Sequence, residues 1–286
     1  MPQIGPYSLH AIRAGALGLD GGAMFGIVPK PLWSQRIEPD ESNRIPLATR
    51  CLLLKGEGRR ILIDTGVGDT FAGTKYEDIY AVNQPDGGLQ RQVEGEGVAP
   101  EAITDVILTH LHFDHCGGST RQVGDGEGAV TFPNATYHVQ KAHWQWAQDA
   151  NPKELQSFLD RTFAPLQKSG QLHLVEGATT LFPGVSVEQV HGHTEAQQIV
   201  TVADADTTLV YVADLLPTTH HLAPAWTMAY DVRPLVTIEE KRDFLERAAD
   251  AEWNLFFEHD PNVAVANVER TDRGFQIIRS RPLREL

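Results

Sequence analysis

Apolar positions recur along this chain with two periods, and the switches between them mark out the elements. Residues 7–13 alternate well enough to predict a first strand. Residues 47–54 and 60–63 read as two strands joined by the turn Gly56-Glu57-Gly58. The run Asp105-Val106-Ile107-Leu108-Thr109 is short, apolar and β-branched, which predicts a buried strand. Residues 136–140 predict another. Helical spacing fits part of 69–83, a turn at Pro100-Glu101-Ala102-Ile103, and 141–150. It also fits 153–168, with Pro152 suited to a first helical turn. The second half repeats this grammar, with strands expected at 172–175, 185–190, 197–203 and 207–213. A helix is expected at 238–251, where Phe244, Leu245, Ala248 and Ala249 share a face, followed by strands at 253–257, 263–268 and 274–279. Loops are expected at 85–88, 94–97 and 124–128. No Pro/Ser-rich linker divides the chain, so the pattern predicts one domain over 1–286, built of two similar halves.

Two stretches are too apolar for ordinary loops. Residues 15–31 are glycine-rich yet carry Met24 and Phe25, and 222–228 carry Trp226 and Met228. Packing inside the fold, a homodimer interface and the wall of a substrate pocket all account for such residues. On the third reading Met24, Phe25, Phe113, His221, Trp226, Met228 and Tyr230 are candidate substrate contacts, and Trp33 joins them. The feature suggests a small-molecule ligand with an acyl chain or an aromatic leaving group.

Composition narrows the partners. With 38 acidic against 24 basic residues, the net charge is −14. A nucleic-acid binder needs a basic surface, and an anionic membrane attracts one, so neither partner is expected. The first residues lack a basic and apolar leader pattern and no run reaches the length of a membrane span, which makes the cytoplasm the expected location. Of two cysteines, Cys51 sits in an apolar run and reads as a core thiol, while Cys116 follows directly on the polar cluster described next.

That cluster is His110-Leu111-His112-Phe113-Asp114-His115. If the backbone stays extended past the strand, His110 and His112 point the same way, and Asp114 and His115 come one turn later. Three imidazoles and a carboxylate in six residues are costly to bury alone. A divalent ion offsets that cost, and the cluster holds more ligands than one open catalytic site takes, so two ions are expected. Nitrogen and oxygen donors suit zinc, iron, manganese and cobalt alike. Further candidates stand at predicted strand ends: His191 and His193, Asp214, and His259.

Taken together, the motif His-x-His-x-Asp-His at 110–115, Asp64-Thr65-Gly66, Gly192-His193-Thr194, Asp214 and His259 resemble the metallo-β-lactamase-fold hydrolases, in family order over nearly the whole chain. The resemblance implies an α/β (α+β) four-layer αββα sandwich. It implies one metal on His110, His112 and His193, a second on Asp114, His115 and His259, and Asp214 shared between them. Zinc heads the list of metals. Asp64 would fix a ligand histidine and His191 would stand behind the ligands. His191 replaces a common Pro, and Gln197 stands where a second His is common.

Within that family, the motif context is most similar to the N-acyl-homoserine-lactone lactonases, the quorum-quenching branch. The implied activity is opening of a lactone or ester by a metal-bridging hydroxide, with Asp114 passing a proton to the leaving alkoxide and Asp214 holding both ions. The runner-up is a phosphotriesterase or arylesterase of the methyl-parathion-hydrolase type. A glyoxalase-II-like thioesterase comes next, and a non-catalytic metal-binding protein ranks last. One departure is Pro217, where the lactonases often carry a Tyr that assists at the carbonyl. His220, His221 and Tyr230 are the candidates to replace it.

Overall fold

A computed structural model describes residues 1–85, 87–122 and 128–286. The loop expected at 124–128 therefore lies almost entirely outside the described residues. The chain forms two compact units, Met1–Leu17 with Thr49–Gly177, and Gly18–Ala48 with Ala178–Leu286.

The first unit is built on most of a seven-stranded sheet, two of whose strands extend past its bounds at residues 18–20 and 44–48. Its strands, Gln3–Ile4, Tyr7–Asp20, Arg44–Gly56, Arg59–Ile63, Asp105–Ile107, Thr136–Gln140 and Leu172–Val175, lie side by side in chain order. Hairpin pairs are antiparallel, and the last four strands are parallel. Parallel neighbours need long crossovers, and helices supply them. Cys51, Leu53, Leu62, Val106, Tyr137 and Val139 share one face by the two-residue alternation, and they pack with Leu89, Val93, Trp144, Phe163 and Leu166 from helices Gly88–Gly95, Lys141–Gln148 and Asp160–Lys168. Both cysteines are buried, and neither forms a disulfide among the described residues.

The second unit carries another seven-stranded sheet: Thr179–Phe182, Val185–Val190, Gln197–Ala203, Thr208–Tyr211, Asn254–Phe256, Val265–Thr271 and Gly274–Arg281. Its neighbours are antiparallel except Thr208–Tyr211 with Asn254–Phe256, the pair separated by the 17-residue helix Pro234–Asp250. Phe244, Leu245 and Ala248 of that helix pack on Val210, Val212, Leu255 and Ala266.

Three expectations need correction. Residues 15–20 are not loop: the strand beginning at Tyr7 runs to Asp20, and a helical turn, Gly21–Phe25, follows with the Asp20 carboxylate accepting from Ala23 N–H. Gly15 misleads because it serves close approach, since a Cβ there would stand 3.0 Å from Asn83 O. Residues 88–95 are helix rather than the space between two loops, because Leu89 and Val93, one turn apart, both reach the core. The helix expected from 153 begins at Asp160. Ahead of it, Asn151 Oδ1 accepts from Lys153 and Glu154 N–H, which makes a turn of its own. Among the described residues no helix is long and apolar enough to cross a membrane.

Candidate metal centre

In the first unit, the strand Asp105–Ile107 delivers the chain to the motif. The backbone is extended at His112 and then closes into one helical turn, Phe113–Cys116. His110 and His112 consequently face each other, with His110 Nε2 3.1 Å from His112 Nδ1. All four polar motif residues are buried. The segment fits because glycine follows it. A Cβ on Gly117 would sit 2.1 Å from Val67 O, and one on Gly118 2.3 Å from Thr65 O, so only glycines let the motif lie against the turn after Asp64.

Each motif histidine has its other nitrogen held. Asp64 accepts from Thr109 N–H and Thr109 Oγ1–H at 2.7 Å each and is 3.0 Å from His115 Nδ1. With that hydroxyl proton committed to Asp64, Thr109 Oγ1 is left to accept from His110 Nδ1–H at 3.2 Å. Glu154 Oε1 lies 3.2 Å from His112 Nε2. Trp146 and Asn151 donate to its other oxygen. These tethers fix the tautomers so that His110 Nε2, His112 Nδ1 and His115 Nε2 carry the lone pairs, the arrangement that metal-ligating histidines adopt. Asp114 Oδ1 lies 4.0 Å from His115 Nε2.

The second unit shows the same device. His193 Nε2 is 3.2 Å from Asp214 Oδ2, and His259 Nε2 is 3.4 Å from Asp214 Oδ1, so one carboxylate faces both rings. His193 Nδ1 is held by Asp231 at 3.0 Å, and His259 Nδ1–H donates to Ala48 O at 2.8 Å. Gly192 admits no side chain, because a Cβ would lie 2.3 Å from Thr237 Oγ1. The His191 ring, by contrast, is placed on Glu195 at 3.0 Å, while Glu240 accepts from the backbone N–H of His191 and Gly192. Gln197 is fully buried, and its amide nitrogen and oxygen have no hydrogen-bond partner among the described residues.

The apolar candidates also find definite places. In the second unit Phe25 is fully buried, stacks on His221 at 4.8 Å and on Trp33 at 5.4 Å, and meets Trp226 edge-on at 5.7 Å. Met24 and Met228 are buried, and Tyr230 is half-buried. His221 spends both nitrogens internally: Nε2–H donates to Met24 O at 2.8 Å, and Nδ1 meets Thr218 Oγ1 at 2.8 Å. Burial, then the neighbouring Lys241 charge, pulls its pKa to about 3, so the ring is neutral. In the first unit Phe113 packs between Phe71 at 4.9 Å and Tyr80 at 5.2 Å. Burial, together with the nearby Asp114 charge, raises the Tyr80 phenol above its ordinary pKa.

Sequence reasoning missed Asp231, Glu154 and Tyr80. The one signal available was residue type, since nothing local marks a carboxylate 38 positions from His193 as its partner.

Each unit therefore contributes buried His/Asp groups able to hold a metal ion. The nitrogen and carboxylate donors fit a divalent ion, because tethered imidazoles and buried anions are what such an ion requires. Comparisons with known proteins agree. The sequence profile of the Metallo-beta-lactamase superfamily matches residues 44–259. An N-acyl homoserine lactonase from a Bacillus species is 28% identical over 202 residues, which is 68% of this chain and 69% of the relative. A probable metal-dependent hydrolase from Staphylococcus aureus superposes with a TM-score of 0.88 at 30% identity, covering 98% of both chains. AidC, a dizinc quorum-quenching lactonase solved with a product, shares the fold with a TM-score of 0.82 at 22% identity, covering 99% of this chain and 97% of the other.

Proposed function

Since the chain belongs to the metallo-β-lactamase superfamily and is a metal-dependent hydrolase acting on esters, we propose that it opens the ring of N-acyl-homoserine lactones at a two-metal centre. The observation that carries the reading is the tethering pattern. In both units every ligand histidine has one nitrogen committed and the other turned toward a motif partner or a carboxylate. A polar loop without a metal has no reason to fix five tautomers this way.

The family's ligand order assigns His110, His112 and His193 to one ion, Asp114, His115 and His259 to the other, and Asp214 to both. Neither unit holds a whole set, so we read residues 1–286 as one functional domain. When bound, two such ions, zinc in our reading, supply a nucleophilic water near neutral pH and polarise the carbonyl. The chain's own residues do the rest. Asp64 and Asp231 hold ligand rings in orientation. Asp114, the motif carboxylate, carries a proton to the leaving alkoxide after the ester bond breaks. Of the apolar candidates, Trp226 and Tyr230 keep exposed surface with which to meet an acyl substrate, whereas Met24, Phe25, Phe113 and Met228 are buried and serve packing. The lactonase names among the sequence relatives support this class of substrate over a phosphotriester or a thioester.

The test is metal analysis followed by a hydrolysis panel of acyl-homoserine lactones of several chain lengths, aryl esters, a phosphotriester and a glutathione thioester. We expect two metal equivalents and highest kcat/KM on a lactone, and loss of turnover in His112→Ala and Asp214→Ala with the fold retained. Metal without turnover on any of these, or full activity in either variant, would overturn the reading.

A further inference from the structure

The first unit holds a second histidine pair, outside the His110–His115 motif. His138 on the strand Thr136–Gln140 and His173 on Leu172–Val175 are directly opposed in the parallel pairing. Their Nδ1 atoms stand 3.0 Å apart, with the ring planes at 76°. His138 is buried and His173 exposed. On the far side of the His138 ring, Nε2 lies 2.9 Å from Asp105 Oδ1. Burial alone would raise the Asp105 pKa, but hydrogen bonds from His138, Thr104 and Arg59 outweigh it and hold the carboxyl below its ordinary value. The anion therefore engages His138 Nε2–H and turns Nδ1 toward His173. Burial, and then the proximity of His138, lower the His173 pKa, which favours its neutral form, and its Nδ1 proton can move to the solvent-facing Nε2.

We propose that His138 Nδ1 and His173 Nδ1 form a chelate for one Cu(II) or Ni(II) ion, with Asp105 as the carboxylate behind the inner ligand. The separation of the two nitrogens suits a cis pair of ligands. With metal–nitrogen bonds of about 2.0–2.1 Å, a separation of 3.0 Å subtends roughly 94° at the ion. That is the cis angle of a square-planar or octahedral site, and it is well below the tetrahedral angle zinc adopts with four ligands. The exposed side of His173 leaves water to fill the remaining positions. The carboxylate–histidine pair is the same orienting device found at the motif histidines. Binding needs no redox step: His173 shifts its proton from Nδ1 to Nε2, and two nitrogen lone pairs are donated.

The experiment titrates Cu(II) into the intact protein carrying its resident metals, with EPR and metal analysis after desalting. We expect one additional copper per chain, with a tetragonal signal and splitting from two nitrogens. His173→Ala, a change at an exposed position, should lose that signal while keeping the resident metal content and the hydrolytic rate. Asp105→Asn should weaken copper binding by about 10- to 100-fold. No additional copper in the wild type, or an unchanged two-nitrogen signal in His173→Ala, would overturn the site. A copper displacing resident metal instead of adding to it would do the same.

Discussion

Lys241 permits a prediction with a worked magnitude. It lies on the helix Pro234–Asp250, is 1% exposed, and its Nζ donates to Trp226 O at 2.8 Å and Ala223 O at 3.3 Å. Burial pulls its pKa from 10.5 down to about 7, against the opposing attraction of Asp231. In the unfolded chain the ordinary value returns, so between pH 7 and about 10 the unfolded state binds more protons than the folded one. Stability contributed by this group therefore rises with pH across that window and is absent below it. Between pH 6 and pH 9 the gain comes to about 2–3 kcal/mol. Lys241→Met keeps an unbranched side chain of similar volume and removes the proton. The stability difference between variant and wild type should move by that amount over the same range, with the variant losing ground as pH rises. Groups that titrate in both proteins cancel in the difference. For a chain of 286 residues the gap corresponds to roughly 3–5 °C in Tm. Melting curves of both proteins at pH 6, 7, 8 and 9, with equal metal loading, read it directly. Parallel Tm profiles would refute the argument, since they would mean that the lysine keeps its proton in the fold.

Three shorter predictions concern the site. Asp231→Ala frees His193 Nδ1 and should weaken metal binding about 10- to 100-fold in chelator competition, with little change in secondary structure. Gln197→Leu removes a buried amide that lacks hydrogen-bond partners among the described residues and should raise stability by about 1–3 kcal/mol in denaturant melts; a loss of stability would show that the amide is satisfied in solution. Stripping metal with a chelator should lower Tm, and adding the ion back at about 100 times its Kd should restore roughly 3 kcal/mol; an unchanged melting curve would mean that no ion binds to the folded state.

What could be read in the sequence was local. The six residues of the motif sit in one strand exit, so their chemistry needed no knowledge of the rest of the chain. Most strands also showed, because alternation reports burial on one face. The tethers did not. His259 takes its backbone acceptor from Ala48, 211 positions away, and His112 takes Glu154, 42 positions away. A hydrophobic period says which face is buried and is silent on which carboxylate arrives opposite. The missed strand and helix share one cause: glycine at 15, 18, 88 and 95 reads as a breaker, whereas Gly15 is there for close approach and Gly88 and Gly95 bound the helix.

Strain supplies the signal that periodicity lacks. Of the seven non-glycine residues with left-handed backbone among the described residues, three lie at the proposed site: Asp64 at φ 56°, Ala196 at φ 51° beside Gln197, and Ala213 at φ 45° directly before Asp214. Such conformations persist only where the surroundings impose them, and at a site they can serve positioning. Ala213→Gly tests whether the strain serves positioning. Relief of the left-handed penalty gains roughly 1–2 kcal/mol. The lost buried methyl costs about 0.8 kcal/mol, and the added freedom of the unfolded chain costs about 0.5–1 kcal/mol. The terms nearly cancel, so global stability should stay within about 1 kcal/mol of wild type. Metal affinity should nevertheless fall, because glycine loosens the backbone that aims Asp214 at His193 and His259. A variant of unchanged affinity would show that the neighbouring contacts alone fix Asp214, and a variant that loses several kcal/mol of stability would show that the methyl is held for packing.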